Sequence, residues 1–205
     1  MQKCDSYFVT VTKMIITKSN EEINKLRLSN VIVAEVLNVL KEKISEGITT
    51  LDLCRIAEEE ARKRGGIPAF KGYRGFPQAL CTSINDEVVH GIPSNRVLKE
   101  GDIVSLDFGI LCDGYFGDAA VTLPIGNINS IAKKLIEITR KSLYEAIKMA
   151  RMGGYLHDIS YAVQSLAEEN GFSVVREFVG HGIGTKLHED PQVPNYGKPN
   201  RGVKL

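Results

Sequence analysis

Residues 103–126, IVSLDFGILCDGYFGDAAVTLPIG, contain two runs of strand-forming residues on either side of Asp113-Gly114. Asp-Gly between two such runs is typical of a β-hairpin with a tight turn. Besides Asp113 in the turn, each run carries one aspartate, Asp107 in the first and Asp118 in the second. A turn centred on Cys112-Asp113 would place them directly opposite each other, whereas one centred on Asp113-Gly114 would make them diagonal neighbours. Both registers put the two carboxylates on one face of the hairpin.

This pair of carboxylates indicates a cation site. Two like charges at such a separation destabilise a hairpin unless something cationic lies between them, and hard divalent cations prefer carboxylate oxygen. A strand aspartate is more often simply exposed to solvent. Asp107, however, has apolar neighbours on both sides, so we expect it to be largely buried. A buried carboxylate needs a partner, and a divalent metal is the obvious candidate.

Composition sets broad limits on the class of protein. The chain has 205 residues, of which 43% are hydrophobic and 25% charged, as in ordinary globular proteins. A net charge of +1 gives no bulk attraction to nucleic acid, and no apolar run has the length of a membrane span. The four cysteines lack CxxC spacing, which predicts free thiols in a reducing, cytoplasmic compartment. We expect residues 1–13 to be an extension of uncertain origin and residues 14–205 to form a single domain.

The order long helix, glycine, second helix, glycine and strands occurs twice. Ser19 and Glu22 form a capping box that opens the first helix, and Thr50 is expected to cap the second. Four residues recur 106 positions later: Gly47, Asp52, Ala61 and Gly65 match Gly153, Asp158, Ala167 and Gly171. The pattern predicts two structurally related halves. The same offset moves Asp107 beyond Leu205, so we expect any acidic counterparts to be missing from this chain.

Three of the four histidines lie in irregular sequence rich in glycine or proline. His90 is in VVHGIP, His181 in VGHGIG and His188 in LHEDP, whereas His157 opens a helix and is expected to be a surface residue without a role. Glycine beside a histidine lets backbone or ligand approach closely. His181 and His188 are not at a standard zinc spacing, so we expect one metal ligand and one or two groups that hydrogen-bond substrate.

Other catalytic classes find little support in the sequence. There is no GxSxG motif and no recognisable cysteine-nucleophile signature, which argues against serine and thiol hydrolases. HGIG lacks the length and the lysine of a P-loop, and no GxGxxG follows a strand.

Four motifs together resemble the type I methionine aminopeptidases. They are FPQALCTSINDEVVHGIP at 76–93, the two aspartates, SVVREFVGHGIG at 173–184 and LHEDPQV at 187–193. The similarity runs from about Met14 to the end, and the first motif favours this enzyme over aminopeptidase P and prolidase. It implies the α+β pita-bread fold, in which two pseudo-symmetric halves pack helices on a curved antiparallel sheet.

The resemblance also implies a set of site residues. The family binds two divalent metals, Co, Mn, Fe or Zn, through two aspartates, one histidine and two glutamates. Motif by motif, Asp107 would be a terminal ligand, Asp118 would bridge the metals and His181 would bind one of them. The implied substrate groups are two histidines, His90 and His188, which also act in catalysis, and three residues lining the methionine pocket, Tyr73, Phe76 and Cys81. Phe70 and Leu187 depart from the residues that the family often has, but both are apolar.

The implied activity is metal-dependent removal of initiator methionine from nascent proteins and peptides by a monomeric cytoplasmic enzyme, with the ribosome as a candidate partner. Two alternatives remain: a catalytically silent binding protein on the same fold, or a related Xaa-Pro aminopeptidase. Neither glutamate ligand has a match in the sequence. We therefore expect a C-terminally truncated chain whose activity depends on whether the missing ligands are replaced.

Overall fold

The computed structural model describes residues 15–205, and the predicted extension at 1–13 lies outside them. The first half contains two helices and four strands: α1 (Asn20–Lys43), α2 (Thr50–Lys63), β1 (Ile67–Pro68), β2 (Leu80–Ile84), β3 (Ile103–Cys112) and β4 (Tyr115–Pro124), with a 3₁₀ turn at Tyr73–Gly75 between β1 and β2. The second half contains α3 (Ser130–Met149), α4 (Leu156–Glu169), β5 (Gly180–Gly182) and β6 (Glu189–Val193). Within the described part of the chain, no helix is both long and apolar enough to cross a membrane.

Strand β3 is the centre of an antiparallel sheet. It pairs with β4 along one edge and with β1 and β2 along the other. Asp113 and Gly114 both have positive φ, as the two-residue hairpin turn requires, and they join a ladder that begins at Cys112 and Tyr115. Of the two registers left open by the sequence, the structure has the diagonal one.

The first half is stabilised by a core between the two helices and the sheet. Its largest fully buried side chains include Leu40, Leu53, Leu80, Leu106, Phe108 and Ile110. Burying a side chain of this size contributes about 1.5–3 kcal/mol relative to leaving it exposed. At Gly117 on β4, an added Cβ would lie 2.7 Å from the backbone of Ser29 on α1. This close approach fixes α1 directly over the strand that carries Asp118.

The predicted cap of α2 was wrong by one residue. Thr49, not Thr50, is the N-cap: it has extended backbone angles, and its hydroxyl accepts a 3.1 Å hydrogen bond from the Asp52 N–H. Thr50 is buried, and its hydroxyl both donates to the Ser94 carbonyl and accepts from the Ser94 N–H. The capping box of Ser19 and Glu22 is confirmed.

Two further expectations in the second half need correction. The strand-forming residues of SVVREFV at 173–179 predict a strand, but this segment is irregular and the strand begins only at Gly180. His157 is half-buried rather than on the surface, because Gly197 and Gly202 pack against its ring.

The predicted internal repeat is confirmed in the hydrogen bonds of the two halves. At the end of α2 the Arg64 N–H donates to the Ala61 carbonyl, and 106 positions later the Asn170 N–H donates to the Ala167 carbonyl. In each half, the residues just before the second helix pair with an extended segment that comes later in the chain. Gly47 N–H donates to the Leu98 carbonyl in the first half, and Gly153 N–H donates to the Leu205 carbonyl in the second. The last five residues of the chain thus occupy the position that residues 94–98 occupy in the first half.

Candidate metal centre

The structure brings the predicted site residues together from both halves. Asp107 lies on β3 and Asp118 on β4 of the first half, while His181 lies on β5 and His188 immediately precedes β6 in the second. The remaining predicted residues lie nearby in the first half: Tyr73 in the 3₁₀ turn, Phe76 directly after it, Cys81 on β2 and His90 in the following loop.

The two carboxylates lie within hydrogen-bonding reach of each other. Their ladder partners are Ala120 and Gly109, which makes the aspartates diagonal neighbours on one face. Asp107 is largely buried, as its apolar neighbours predicted, although its own face of the sheet carries the site rather than the core. Burial raises the pKa of both carboxyls, and the Asp118 charge raises the pKa of Asp107 further, to about 7.

No lysine or arginine among residues 15–205 forms an ion pair with either carboxylate. Within these residues, His181 forms the one ion-pair contact with them: its Nε2 is 3.7 Å from Asp118 Oδ2. Like charges held together without a cation favour protonation, and a divalent ion between them would reverse that preference. The carboxylate pair therefore fits the divalent cation that the sequence predicts at this place.

His181 is prepared to act as a metal ligand. Its Nδ1 is 2.9 Å from the Gly182 carbonyl oxygen, which can only accept, so Nδ1 carries the proton. The lone pair of the neutral ring is then on Nε2, the atom that faces Asp118. A backbone carbonyl that fixes the tautomer in this way is the usual support of a metal-binding histidine.

Two carboxylates and one neutral imidazole suit Mn, Fe, Co or Zn by chemistry. In their present arrangement they are not a finished metal site, because no group of three histidine, cysteine, aspartate or glutamate side chains in residues 15–205 is gathered closely enough to hold an ion. Ion binding at this place therefore requires side-chain movement, further donors, or both.

His188 is held between a tyrosine and the other histidine. Its Nδ1 is 2.9 Å from the Tyr73 hydroxyl, its ring stacks on Tyr73 with centroids 5.3 Å apart, and its centroid is 4.1 Å from that of His181. Burial and the neighbouring His181 charge lower the pKa of His188. The ring is therefore neutral near pH 7, with Nε2 left for a ligand.

His90 lies close enough to the carboxylates for its charge to lower the pKa of Asp107. It has a positive φ of 61°, and its ring meets the edge of Phe178, with centroids 5.8 Å apart. Gly91 lets this loop lie directly on β2, since an added Cβ would collide with the Thr82 carbonyl. Phe178 was missed by sequence reasoning, although an aromatic residue just before a Gly-His-Gly run could have indicated it.

An apolar cluster borders the carboxylates. Its buried members are Phe70, Cys81 and Leu187, and the partly buried side chains around them include Tyr73, Phe76, Phe116 and Ile183. Cys81 is the ladder partner of Asp107. Burial, followed by the charges of the two aspartates, raises the pKa of the Cys81 thiol to about 12, so the group stays neutral and acts as an apolar surface rather than a nucleophile.

Phe70 and Leu187, the two departures from the family pattern, form part of the centre of this cluster. The ring of Phe70 fills the space where a side chain at Gly109 would lie, 2.5 Å from an added Cβ. Gly109 is the ladder partner of Asp118, so replacing it would force the cluster apart next to that carboxylate.

The model of metallopeptidase family M24 matches residues 24–205. A methionine aminopeptidase of Clostridium acetobutylicum is 52% identical over 193 residues, covering 94% of this chain and 77% of the relative. Methionine aminopeptidase 1 of Bacillus subtilis is 51% identical over 192 residues, with the same coverage. The chain thus spans about three-quarters of the length of these relatives.

Solved structures give the same picture of the fold. The methionine aminopeptidase of Thermotoga maritima superposes with a TM-score of 0.92 at 46% identity, covering 94% of this chain and 78% of that one. A prolidase from Pyrococcus furiosus superposes with a TM-score of 0.77 at 22% identity, covering 90% of this chain and 54% of that one, a likeness of fold alone.

Proposed function

The chain belongs to metallopeptidase family M24, and on that premise we propose that it acts as a methionyl aminopeptidase, removing N-terminal methionine from peptides and nascent proteins. The observation that carries this proposal is the meeting of three features at one place. They are a carboxylate pair without a lysine or arginine partner in the described residues, a histidine with its lone pair turned toward that pair, and an apolar cluster containing a neutral thiol. Close relatives that bear the name methionine aminopeptidase support it.

In this proposal the centre holds two divalent ions, Co, Mn, Fe or Zn. Asp107 would hold one ion as a terminal ligand, Asp118 would be the ligand shared by both ions, and His181 would bind one through Nε2. Diagonal carboxylates on one sheet face and the tautomer fixed by the Gly182 carbonyl support these roles. The ions, when bound, would supply Lewis-acid activation of a water molecule and of the scissile carbonyl.

The other residues bind and orient the substrate. The cluster around Phe76 and Cys81 receives the methionine side chain, because an apolar, aromatic and polarizable surface suits a thioether. His188, neutral and held at Nδ1 by Tyr73, offers Nε2–H to the oxygen that gains charge during hydrolysis. His90 offers a second hydrogen bond to the substrate. The free amino group lies next to the carboxylates, which restricts cleavage to the first residue.

Residues 14–205 would then constitute one metallopeptidase domain. Its substrates would be new polypeptides in the cytoplasm, met as they leave the ribosome, and a monomer would suffice because both halves of the site come from one chain. The Xaa-Pro alternative rests only on structural neighbours near 22% identity, which share the fold.

The direct test is release of free methionine from Met-Ala-Ser by this 205-residue chain with added Mn(II) or Co(II). We expect release that a chelator abolishes and that Asp118→Asn lacks. An Ala-Pro-Ser peptide is the matched control and should be left intact. Cleavage of Ala-Pro-Ser alone would select the Xaa-Pro alternative, and release that survives the chelator would contradict a metal mechanism. No release from either peptide, with or without metal, would contradict turnover by this chain, and it is the result expected if the two unmatched glutamate ligands are not replaced.

A further inference from the structure

An ion pair joins Lys18, two residues before α1, to Glu189 at the start of β6. Lys18 Nζ lies 2.6 Å from Glu189 Oε2, although the two residues are 171 positions apart in the chain. Both side chains are nearly buried, with 13% of Lys18 and 8% of Glu189 exposed. Of the ion pairs recorded in residues 15–205, most have at least one well-exposed partner. This pair is shielded on both sides, so it is screened less and holds its geometry more firmly.

Glu189 also organises the turn between β5 and β6. Its Oε1 accepts hydrogen bonds from the Lys186 N–H at 3.1 Å and from the Thr185 hydroxyl at 3.4 Å. The ion pair fills the space beside Gly184, where an added Cβ would lie 2.6 Å from both Glu189 Oε2 and Lys18 Nζ. The turn is thus wrapped around a carboxylate whose other oxygen is bound by Lys18.

The same turn is fixed to the strand that carries Asp118. The Gly184 carbonyl accepts a 2.8 Å hydrogen bond from the N–H of Phe116, two residues before Asp118. His181 lies three residues before Gly184, and His188 directly precedes Glu189. Any shift of the turn therefore moves both histidines relative to the carboxylates.

We propose that Lys18 and Glu189 are positioning residues, which hold the 183–188 turn so that His181 and His188 face Asp107 and Asp118. The role rests on the proposed function for its catalytic consequence, but the geometry that it fixes does not depend on turnover. Neither residue touches the substrate cluster, and each acts through the backbone that carries a histidine. Removing the ammonium leaves a nearly buried carboxylate without its cation, which favours opening of the turn toward water.

The test compares Lys18→Met with Lys18→Arg, since arginine restores the charge and methionine keeps the apolar stem. The first measurement is the ring ¹H–¹⁵N resonances of the histidines in the whole chain. We expect Lys18→Met to move the signals of His181 and His188, to leave those of His157 in place, and to speed exchange of the Lys186 amide at least about tenfold. Lys18→Arg should return the signals toward wild type. Lys148→Met, which removes an exposed lysine paired with Glu145 on α3, is the matched control and should move none of them.

The second measurement is methionine release with saturating metal. We expect Lys18→Met to lower kcat/KM by about tenfold, within the 10–100-fold range for residues that support metal ligands, and Lys18→Arg to recover most of it. If Lys18→Met fails to fold, Glu189→Gln keeps the side-chain shape and takes its place. Unmoved ring signals in a folded Lys18→Met variant would overturn the proposal. Absence of methionine release in the wild type would instead count against the proposed function, and the ring signals would still decide the positioning role.

Discussion

The helix face that packs on the sheet in the first half of the chain is largely uncovered in the second half. Leu37 on α1 is 8% exposed, whereas Leu143, its counterpart 106 positions later on α3, is 56% exposed. The counterparts Ile32 and Ile138 are buried in both halves. Helix α1 packs on β3 and β4 as well as on α2, whereas α3 packs mainly on α4. An apolar stripe thus specifies which face turns inward, but its burial depends on a partner element.

The largest difference between the two halves is expected when equivalent leucine side chains are shortened to alanine. Leu37→Ala should lower the free energy of unfolding by about 2–4 kcal/mol, because it leaves a cavity between α1 and the sheet. Leu143→Ala should change it by less than about 0.5 kcal/mol, since little apolar surface is lost there. Urea unfolding of both variants measures the difference. Equal losses would mean that the face of α3 is covered in solution.

The two halves also differ in what they bring to the site: the first supplies both carboxylates, and the second supplies His181 and His188. Because the folded pKa of Asp107 is raised to about 7, the folded state holds more protons than the unfolded one between about pH 4 and pH 7. Stability from this group is therefore fully present below pH 4 and is lost as the pH rises to 7. In the metal-free chain we expect the contribution of Asp107 to the free energy of unfolding to fall by up to about 4 kcal/mol over that range.

Asp107→Asn should remove most of this pH dependence, because it removes the titrating group itself, and Mn(II) at pH 7 should restore stability to the wild type but not to the variant. Asp102→Asn is the control, since hydrogen bonds from Asn85 and the Lys99 backbone lower the pKa of Asp102 below this range. Chemical denaturation at a series of pH values gives all three curves. Wild-type and variant curves with the same slope between pH 4 and pH 7 would contradict a carboxylate pair held without a cation.

The second half depends on the first for the orientation of its histidine. Tyr73→Phe removes the hydroxyl that holds His188 Nδ1 and leaves the stacked ring. Given the proposed function, kcat/KM for Met-Ala-Ser should fall about tenfold, equivalent to about 1.4 kcal/mol of transition-state stabilisation, with metal affinity unchanged. Tyr115→Phe is the matched control, because that hydroxyl contacts only Glu22 at the start of α1. A similar loss in both variants would show that the effect is general.

Most of the fold that the sequence predicts follows from local patterns of turn and helix-end residues. Asp113-Gly114 specified the hairpin, and glycines at equal offsets revealed the repeat, because both reflect backbone conformations that few residues adopt. The candidate site followed from residue chemistry and from resemblance. Contacts between distant segments were not predictable: the burial of Lys18 against Glu189 depends on residues 171 apart, and the exposure of Leu143 depends on what packs over α3. Segment 173–179 has strand-forming residues but no ladder partner among the described residues.

The smallest predicted effect concerns the equivalent N-caps of the two second helices. Thr49 caps α2 through its hydroxyl, whereas Tyr155, 106 positions later, has no hydroxyl bond to the start of α4, and its N–H is instead accepted by Asp158. Removing the hydroxyl should therefore lower the free energy of unfolding at Thr49 more than at Tyr155. Thr49→Val should cost about 1 kcal/mol of unfolding free energy, while Tyr155→Phe should cost no more than a few tenths. Thr49→Ser keeps the acceptor and should be nearly neutral. Equal costs for the Val and Phe variants would mean that the repeat extends to the caps themselves, and that only the covering of α1 and α3 distinguishes the two halves.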